Sequence, residues 1–382
     1  MRIALVAGEA SGDLLGAGLI RAIRARIPEA QFEGVAGPAM IDAGCRRLED
    51  AEALAVMGLI EPLRHVPRLL RLRRSLARRW VKSPPDVFVG IDAPDFNFGL
   101  EKKLRRAGIR TAHYVSPTVW AWREGRIKTV GEAADRVLCI LPFEKDIYDR
   151  HGIDAVFVGH PKADSIPDDI DIASAREVLG LGDAPVVAML PGSRGSEVSR
   201  LGPLFAAAAA QLAAGDASMQ FITPAATPRL RGLIETQLDD AAVREHFTLT
   251  DGGSIEVMAA ADVVMLASGT AALESALLGK PTIAAYKVSA ITAIILRLFK
   301  LLKTKYFTLP NLLTEAPLVP EFIQEAATPE ALATEIRSLL SNAARREEIT
   351  ARFATLRADL ALGADDRAAD AVINLAGQNE GH

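Results

Sequence analysis

The 382-residue sequence predicts two doubly wound α/β domains, each a mainly parallel sheet covered by helices. Three observations carry that expectation. A chain of this length exceeds the size at which one hydrophobic core keeps growing. Short β-branched runs alternate with longer helical patterns along the chain, as βαβ units require. Between two sets of such runs, Gly159-His160-Pro161 is followed by an acidic, proline-containing stretch, Asp164–Asp171, that reads as a linker. The expected division is therefore 1–165, 166–345 and a helical tail at 346–382.

In the first half the strand candidates are Arg2–Ala7, Phe32–Ala36, Asp86–Ile91, Thr111–Val115, Arg136–Leu141 and Ala155–Val158. The second half offers Pro185–Leu190, Met219–Thr223, Phe247–Thr250, Asp262–Leu266 and Pro281–Ala285. From about Ala326 to Ala376 the chain is rich in Ala, Glu and Arg at helical spacing, which predicts helices packing back on the domains. Two such domains facing across a cleft bind ligands at the carboxyl ends of their strands. The chemistry is expected in the loops that follow strands.

Hydrophobic residues at 49% and charged residues at 24% describe a globular chain rather than a disordered one. The two cysteines, Cys45 and Cys139, stand alone, which points to a reducing, cytoplasmic setting. The apolar run in Met1–Val6 is too short for a secretory leader, and no stretch approaches the roughly 18 apolar residues of a membrane span. Charge is unevenly placed. Residues 59–82 and 285–306 hold 13 of the 44 Lys and Arg with Glu61 as their only acid, and both are apolar as well. That combination predicts docking on an anionic membrane surface rather than nucleic acid. The competing reading is a core stripe whose long basic side chains reach outward.

The strongest motif is Leu190-Pro191-Gly192-Ser193-Arg194-Gly195-Ser196-Glu197, directly after a strand. Gly192 lets backbone approach a ligand, Ser193 supplies a hydroxyl, and Arg194 suits phosphate oxygens. Next comes Ser268-Gly269-Thr270 opening an Ala-rich helix, where N–H groups and the helix dipole suit a diphosphate. Glu274 lies on the same helix face as Thr270 and could accept from two ribose hydroxyls. A plain β–α turn and an ordinary acidic preference near a helix start are the competing readings. Neither loop is a Walker A or G-x-G-x-x-G sequence, which argues against ATP-driven phosphoryl transfer and NAD. The first loop, Gly8–Gly16, carries Glu9 and Asp13 and so faces an uncharged part of a substrate.

Val89–Asn97 runs off a hydrophobic strand end and is expected to present Asp92, Asp95 and Asn97 to the crevice. Asp92, nearest the strand, is the candidate general base. Asp95 reads better as a helix cap. Trp120 and Trp122 share one loop and serve either substrate or domain closure. Asn311, in a proline-broken stretch, either bonds a substrate or satisfies backbone in a turn. The histidines show no ligand spacing, so no metal site is expected.

With these loops in view, the sequence resembles the lipid-A-disaccharide synthases, glycosyltransferases of family 19. The matching segments are Ala7–Gly18, Val35–Pro38, Val87–Asn97, His113–Trp122, Leu141–Lys145, Leu190–Glu197, Leu266–Glu274 and Leu309–Leu313. Ala10 stands where some relatives carry Thr. The resemblance implies a GT-B fold, a UDP-2,3-diacylglucosamine donor and a 2,3-diacylglucosamine 1-phosphate acceptor. Inverting transfer would form a β-1,6 bond and release UDP, with no cofactor. It implies Asp92 as base, places Glu9 in the family's first-loop motif, and makes Arg194 and Asn311 further positions of importance. Glu274 is similar to the ribose-binding glutamate of related enzymes. The acylated substrates imply peripheral association with the inner membrane; the oligomeric state, a homodimer included, stays open. A UDP-GlcNAc 2-epimerase, another GT-B transferase and a nucleotide-regulated membrane adaptor are the alternative readings.

Overall fold

The computed structural model describes residues 1–55, 62–118, 125–167, 171–288 and 305–378, with backbone only at 55 and 62–65. Two compact units emerge: Met1–Asp164 together with Leu360–His382, and Ser165–Asp359. Each is a parallel α/β domain.

The first unit holds β1 (Arg2–Ala7), β2 (Gln31–Ala36), β3 (Arg46–Asp50), β4 (Val87–Ile91), β5 (Arg110–Tyr114), β6 (Arg136–Cys139) and β7 (Ala155–Phe157). They form one sheet in the order β3-β2-β1-β4-β5-β6-β7, every pair parallel. Alternation along β1 sends Ile3, Leu5 and Ala7 to one face and Ala4 and Val6 to the other. Both faces are buried, as a parallel sheet requires. On the first face lie the helix Ala10–Arg26 and the returning helix Ala364–Gly377, through Ala17, Ile20, Ile23, Val372 and Leu375. Arg26 fixes the return with ion pairs to Asp366 and Asp370, each 2.7 Å.

The opposite face is covered by the helices Pro62–Lys82 and Pro94–Arg106. This settles how much of the first basic stretch remains apolar outside. Leu69, Leu72, Leu76 and Trp80 pack into the core, whereas Arg68, Arg71, Arg74 and Arg78 are exposed, with Val66 and Val81 beside them. The leucine stripe is thus core, and the outward face is basic. Residues 59–61 of this stretch, and 289–304 of the second, lie outside the described residues. Among the described residues no helix is long and apolar enough to cross a membrane.

The second unit holds β8 (Val186–Leu190), β9 (Gln220–Ala225), β10 (Phe247–Asp251), β11 (Val263–Ala267), β12 (Thr282–Tyr286) and β13 (Glu321–Ile323). Their order is β10-β9-β8-β11-β12-β13, again all parallel. The Ala-rich helix Gly195–Gly215 buries Leu201, Phe205, Ala208 and Leu212. The tail helices divide between the units: Ala343–Leu360 runs almost wholly in the second, and Ala364–Gly377 in the first. β3 and β13, unread in the sequence, are both edge strands, where one neighbour suffices and charged residues such as Arg46, Arg47 and Glu321 are tolerated.

Candidate active site

Each sheet reverses its winding once, between β1 and β4 in the first unit and between β8 and β11 in the second. Loops leaving the carboxyl ends of two such strands diverge to opposite faces and open a crevice, where doubly wound sheets bind ligands. Ala7 pairs with Ile91, and Leu190 with Leu266. The Glu9 and Asp92 loops therefore leave side by side, as do the Arg194 and Ser268 loops. Four of the sequence-selected segments thus fall at the two switch points; the Trp120/Trp122 loop and the Asn311 stretch do not.

At the first switch point the backbone is strained. Asp92 and Ala93 adopt positive φ of 50° and 43°, and Val115, at the end of neighbouring β5, has φ 75°. Such values disfavour residues with a Cβ, most of all a β-branched one, and persist only where surrounding contacts enforce them. Those contacts are visible. The Asp92 N–H donates to the Tyr114 carbonyl at 2.9 Å. Asn97 is fully buried and its Nδ2 donates to the Asp92 carbonyl at 2.7 Å. A Cβ on Gly8 would come within 2.8 Å of the Ala93 Cβ, so the first loop presses directly on the second. Behind them, Glu101 and His113 form a wholly buried 2.7 Å pair, and burial pushes the Glu101 carboxyl up while His113 pulls it down.

The side chains sort differently from the sequence expectation. Asp92 is half-buried and Glu9 exposed, without a capping bond. Asn97 points inward as a backbone clamp rather than into the crevice. Asp13 is buried and accepts from the N–H groups of Gly37, Ala39 and Met40 at 2.9, 2.8 and 3.1 Å. It therefore anchors the helix Pro38–Asp42, not a substrate. Asp95 makes no cap, since Ala93 holds the N-cap position; it pairs with Arg126 at 2.8 Å. Trp120 and Trp122 lie outside the described residues.

At the second switch point the chain is glycine-relieved and cationic. Gly192 takes φ 125°, a value that favours glycine, and a Cβ there would meet the Glu197 carboxylate at 2.5 Å. Glu197 accepts from the N–H groups of Ser193 and Arg194 at 3.2 and 3.3 Å and from the Arg194 guanidinium at 3.2 Å. The loop's anion cradle thus already holds a carboxylate of its own chain. A Glu three residues past a helix cap is the sequence signal for this, overlooked in favour of the arginine. Ser193 and Arg194 remain exposed. Across the switch, the Ser268 N–H donates to the Ala285 carbonyl at 3.2 Å and so continues the pairing of β11 with β12. The N–H groups open to an anion begin one residue later, at exposed Gly269 and Thr270, which start the helix Thr270–Leu277. Glu274 is half-buried one turn further on.

Asn311 is 1% exposed, and its amide is engaged on both sides. Its Oδ1 accepts from the Val319 N–H at 2.7 Å, and its Nδ2 donates to the Val319 carbonyl at 2.7 Å and to Glu321 at 3.0 Å. Glu321 also accepts from the N–H groups of Phe307 and Thr308. Of the two sequence readings, this geometry matches the backbone-holding one. Glu321 escaped notice because its strand did.

A model of the lipid-A-disaccharide synthetase family matches residues 3–373. The chain belongs to the lipid-A-disaccharide synthase family. A lipid-A-disaccharide synthase of Alkalilimnicola ehrlichii is 50% identical over 99% of this chain and 100% of its own length. Another, from Chromohalobacter salexigens, is 48% identical over 98% and 97% respectively. Family membership makes the chain a glycosyltransferase that forms a disaccharide in lipid A synthesis. Solved structures share its GT-B fold at low identity. A putative UDP-N-acetylglucosamine 2-epimerase from Listeria monocytogenes superposes with TM-score 0.66 at 14% identity, covering 100% of this chain and 96% of that one. The glycosyltransferase of kitacinnamycin gives 0.61 at 16%, with 98% of each chain covered.

Proposed function

We propose that the enzyme transfers 2,3-diacylglucosamine from UDP to the 6-hydroxyl of 2,3-diacylglucosamine 1-phosphate with inversion. The observation that carries this reading is the division of equipment between the switch points. One presents carboxylates, Asp92 and Glu9, and the other presents Arg194 and a helix start. A proton acceptor and an anion receptor are the two things that glycosyl transfer from a nucleotide needs.

Asp92 accepts the proton of the acceptor hydroxyl as its oxygen bonds to the anomeric carbon. The bond from that carbon to the UDP oxygen breaks, and its electron pair leaves with UDP. Arg194 and the N–H groups of Gly269 and Thr270 meet the charge that gathers on the diphosphate. Gly192 and Ser193 shape the loop that receives it, Glu274 holds the ribose, and Asn311 keeps the segment around Thr308 in place. Glu9 lines the acceptor side. Outside the chemistry, the exposed arginines of Pro62–Lys82 hold the enzyme to anionic lipid, where acylated substrates reside.

Mass spectrometry after incubation with the two acylated precursors tests the substrates: the β-1,6 tetraacyl disaccharide phosphate is expected, and turnover of non-acylated sugars alone would refute the reading. Asp92→Asn tests the base. Turnover should fall about 10²- to 10⁴-fold while UDP affinity holds. An active Asp92→Asn enzyme would remove Asp92 from the mechanism. For the membrane, an Arg68/Arg71/Arg74→Glu variant should pellet poorly with anionic vesicles; equal pelleting excludes this helix.

A further inference from the structure

The first sheet has a second end. At the amino termini of β1, β2 and β3 lies a cavity of about 330 Å³ lined by Arg2, Arg24, Arg46, Arg79, Gln31 and Glu33, among others. Five residue steps along β1 separate Arg2 from Ala7, about 16 Å, so this cavity is remote from the Asp92 loop.

Four arginines surround one carboxylate, and that carboxylate is already engaged. Glu33 accepts from Arg79 at 3.0 and 2.8 Å in a bidentate pair and from the Trp80 indole at 2.9 Å. The Arg79 guanidinium holds it below the usual carboxylate range, so it stays ionised and neutralises Arg79. Among the described residues the other three guanidinium groups rest on neutral or distant groups, although the Arg2 backbone N–H donates to the Asp86 carboxylate at 2.7 Å. Arg2 donates to the Ser83 hydroxyl at 3.1 Å and the Pro84 carbonyl at 3.4 Å. Arg24 donates to the Gly44 carbonyl at 3.3 Å and lies 5.6 Å from the centre of the Phe32 ring. Among the described residues Arg46 pairs with Glu33 alone, at 4.0 Å, and its side chain is 71% exposed.

The arrangement is also prepared. Gly44, at φ +97° in the turn that ends the helix Pro38–Asp42, leaves room for Arg24: a Cβ there would lie 2.2 Å from a guanidinium nitrogen. Oriented guanidinium groups around a concavity match phosphate oxygens two at a time.

We propose that this cavity is a second anion site, which takes a phosphate group independently of the glycosyl-transfer site. The phosphate belongs either to a soluble phosphomonoester or to a lipid headgroup, and the test separates them. Inorganic phosphate is titrated calorimetrically into the full-length protein and into an Arg24→Gln/Arg46→Gln variant, and both are pelleted with phosphatidylglycerol and with phosphatidylcholine vesicles. Any phosphate binding at the nucleotide site is common to both proteins, so the difference reports the cavity. The double variant should lose at least tenfold in phosphate affinity with turnover unchanged, and Arg46→Gln alone, at an exposed side chain that leaves the fold intact, should lose part of it. Loss of phosphate binding with unchanged pelleting assigns a soluble ligand. Loss of phosphatidylglycerol pelleting assigns a headgroup. Wild-type behaviour of the double variant with both probes overturns the site.

Discussion

The two switch points share a topology and differ in how their backbones are held. In the first, non-glycine residues sit at positive φ, pinned by a buried amide and by the neighbouring loop. In the second, Gly192 relieves the turn and Glu197 caps it with a charge. Strain fixes a half-buried carboxylate at the carboxyl end of a central strand, whereas an exposed arginine needs only a relaxed, well-capped loop. Where the proposed mechanism moves a proton, position is enforced; where it receives a diffuse charge, the loop is left accessible.

That contrast can be broken or sharpened by substitution. The largest effect after Asp92 is expected at Arg194. Arg194→Ala should lower kcat about 10²- to 10³-fold, and a measured loss confined to KM would show that Arg194 binds ground and transition states alike. Asp13→Ala should instead strike stability. Three backbone donors lose their acceptor, at roughly 1–3 kcal/mol for a buried orphan, so denaturant unfolding should show a loss of about 3 kcal/mol or more. UDP affinity should stay unchanged. Glu9→Gln, at the N-cap of the same helix, should show the reverse pattern, with stability intact and turnover reduced.

A pH profile of activity must be separated from acid unfolding, and His160 supplies that control. Burial lowers its pKa from 6.5 to about 4, and its Nδ1 accepts from the Lys162 N–H at 3.2 Å, a bond that only unprotonated Nδ1 can accept. The folded state therefore resists a proton that the unfolded chain takes up. Stability conferred by the neutral ring is complete above pH 6.5 and declines as pH falls toward 4, by about 3 kcal/mol in total. Unfolding free energies of His160→Gln should fall less steeply across that interval; parallel curves would reject the assignment. The smallest effect is at Glu197→Ala, where loss of the reciprocal cap should reduce stability by about 1 kcal/mol, read by denaturant titration.

Much of this was legible in the sequence. Buried parallel strands announce themselves as β-branched runs, and glycines mark the turns beyond them. What sequence could not supply was the inward or outward turn of a polar side chain in the first turn of the helix after a strand. Asp13 and Asn97 stand beside exposed residues of the same chemistry, and only tertiary neighbours decide that they anchor backbone. The positive φ of Asp92 was hidden for the same reason: no glycine flags it, because packing rather than local preference imposes it. Glu321 was missed through its edge strand, which needs neither alternation nor strong β propensity.

The helix Ala364–Gly377 completes a sheet begun some 360 residues earlier, so the first unit is discontinuous in the chain. On the ribosome, the usual order of domain completion is consequently reversed. Residues 165–359 can close around their own sheet while the face bearing Ile20 and Ile23 still lacks its cover. The unit that carries Asp92 and Glu9 is therefore completed last, after the unit that carries Arg194 has all of its chain.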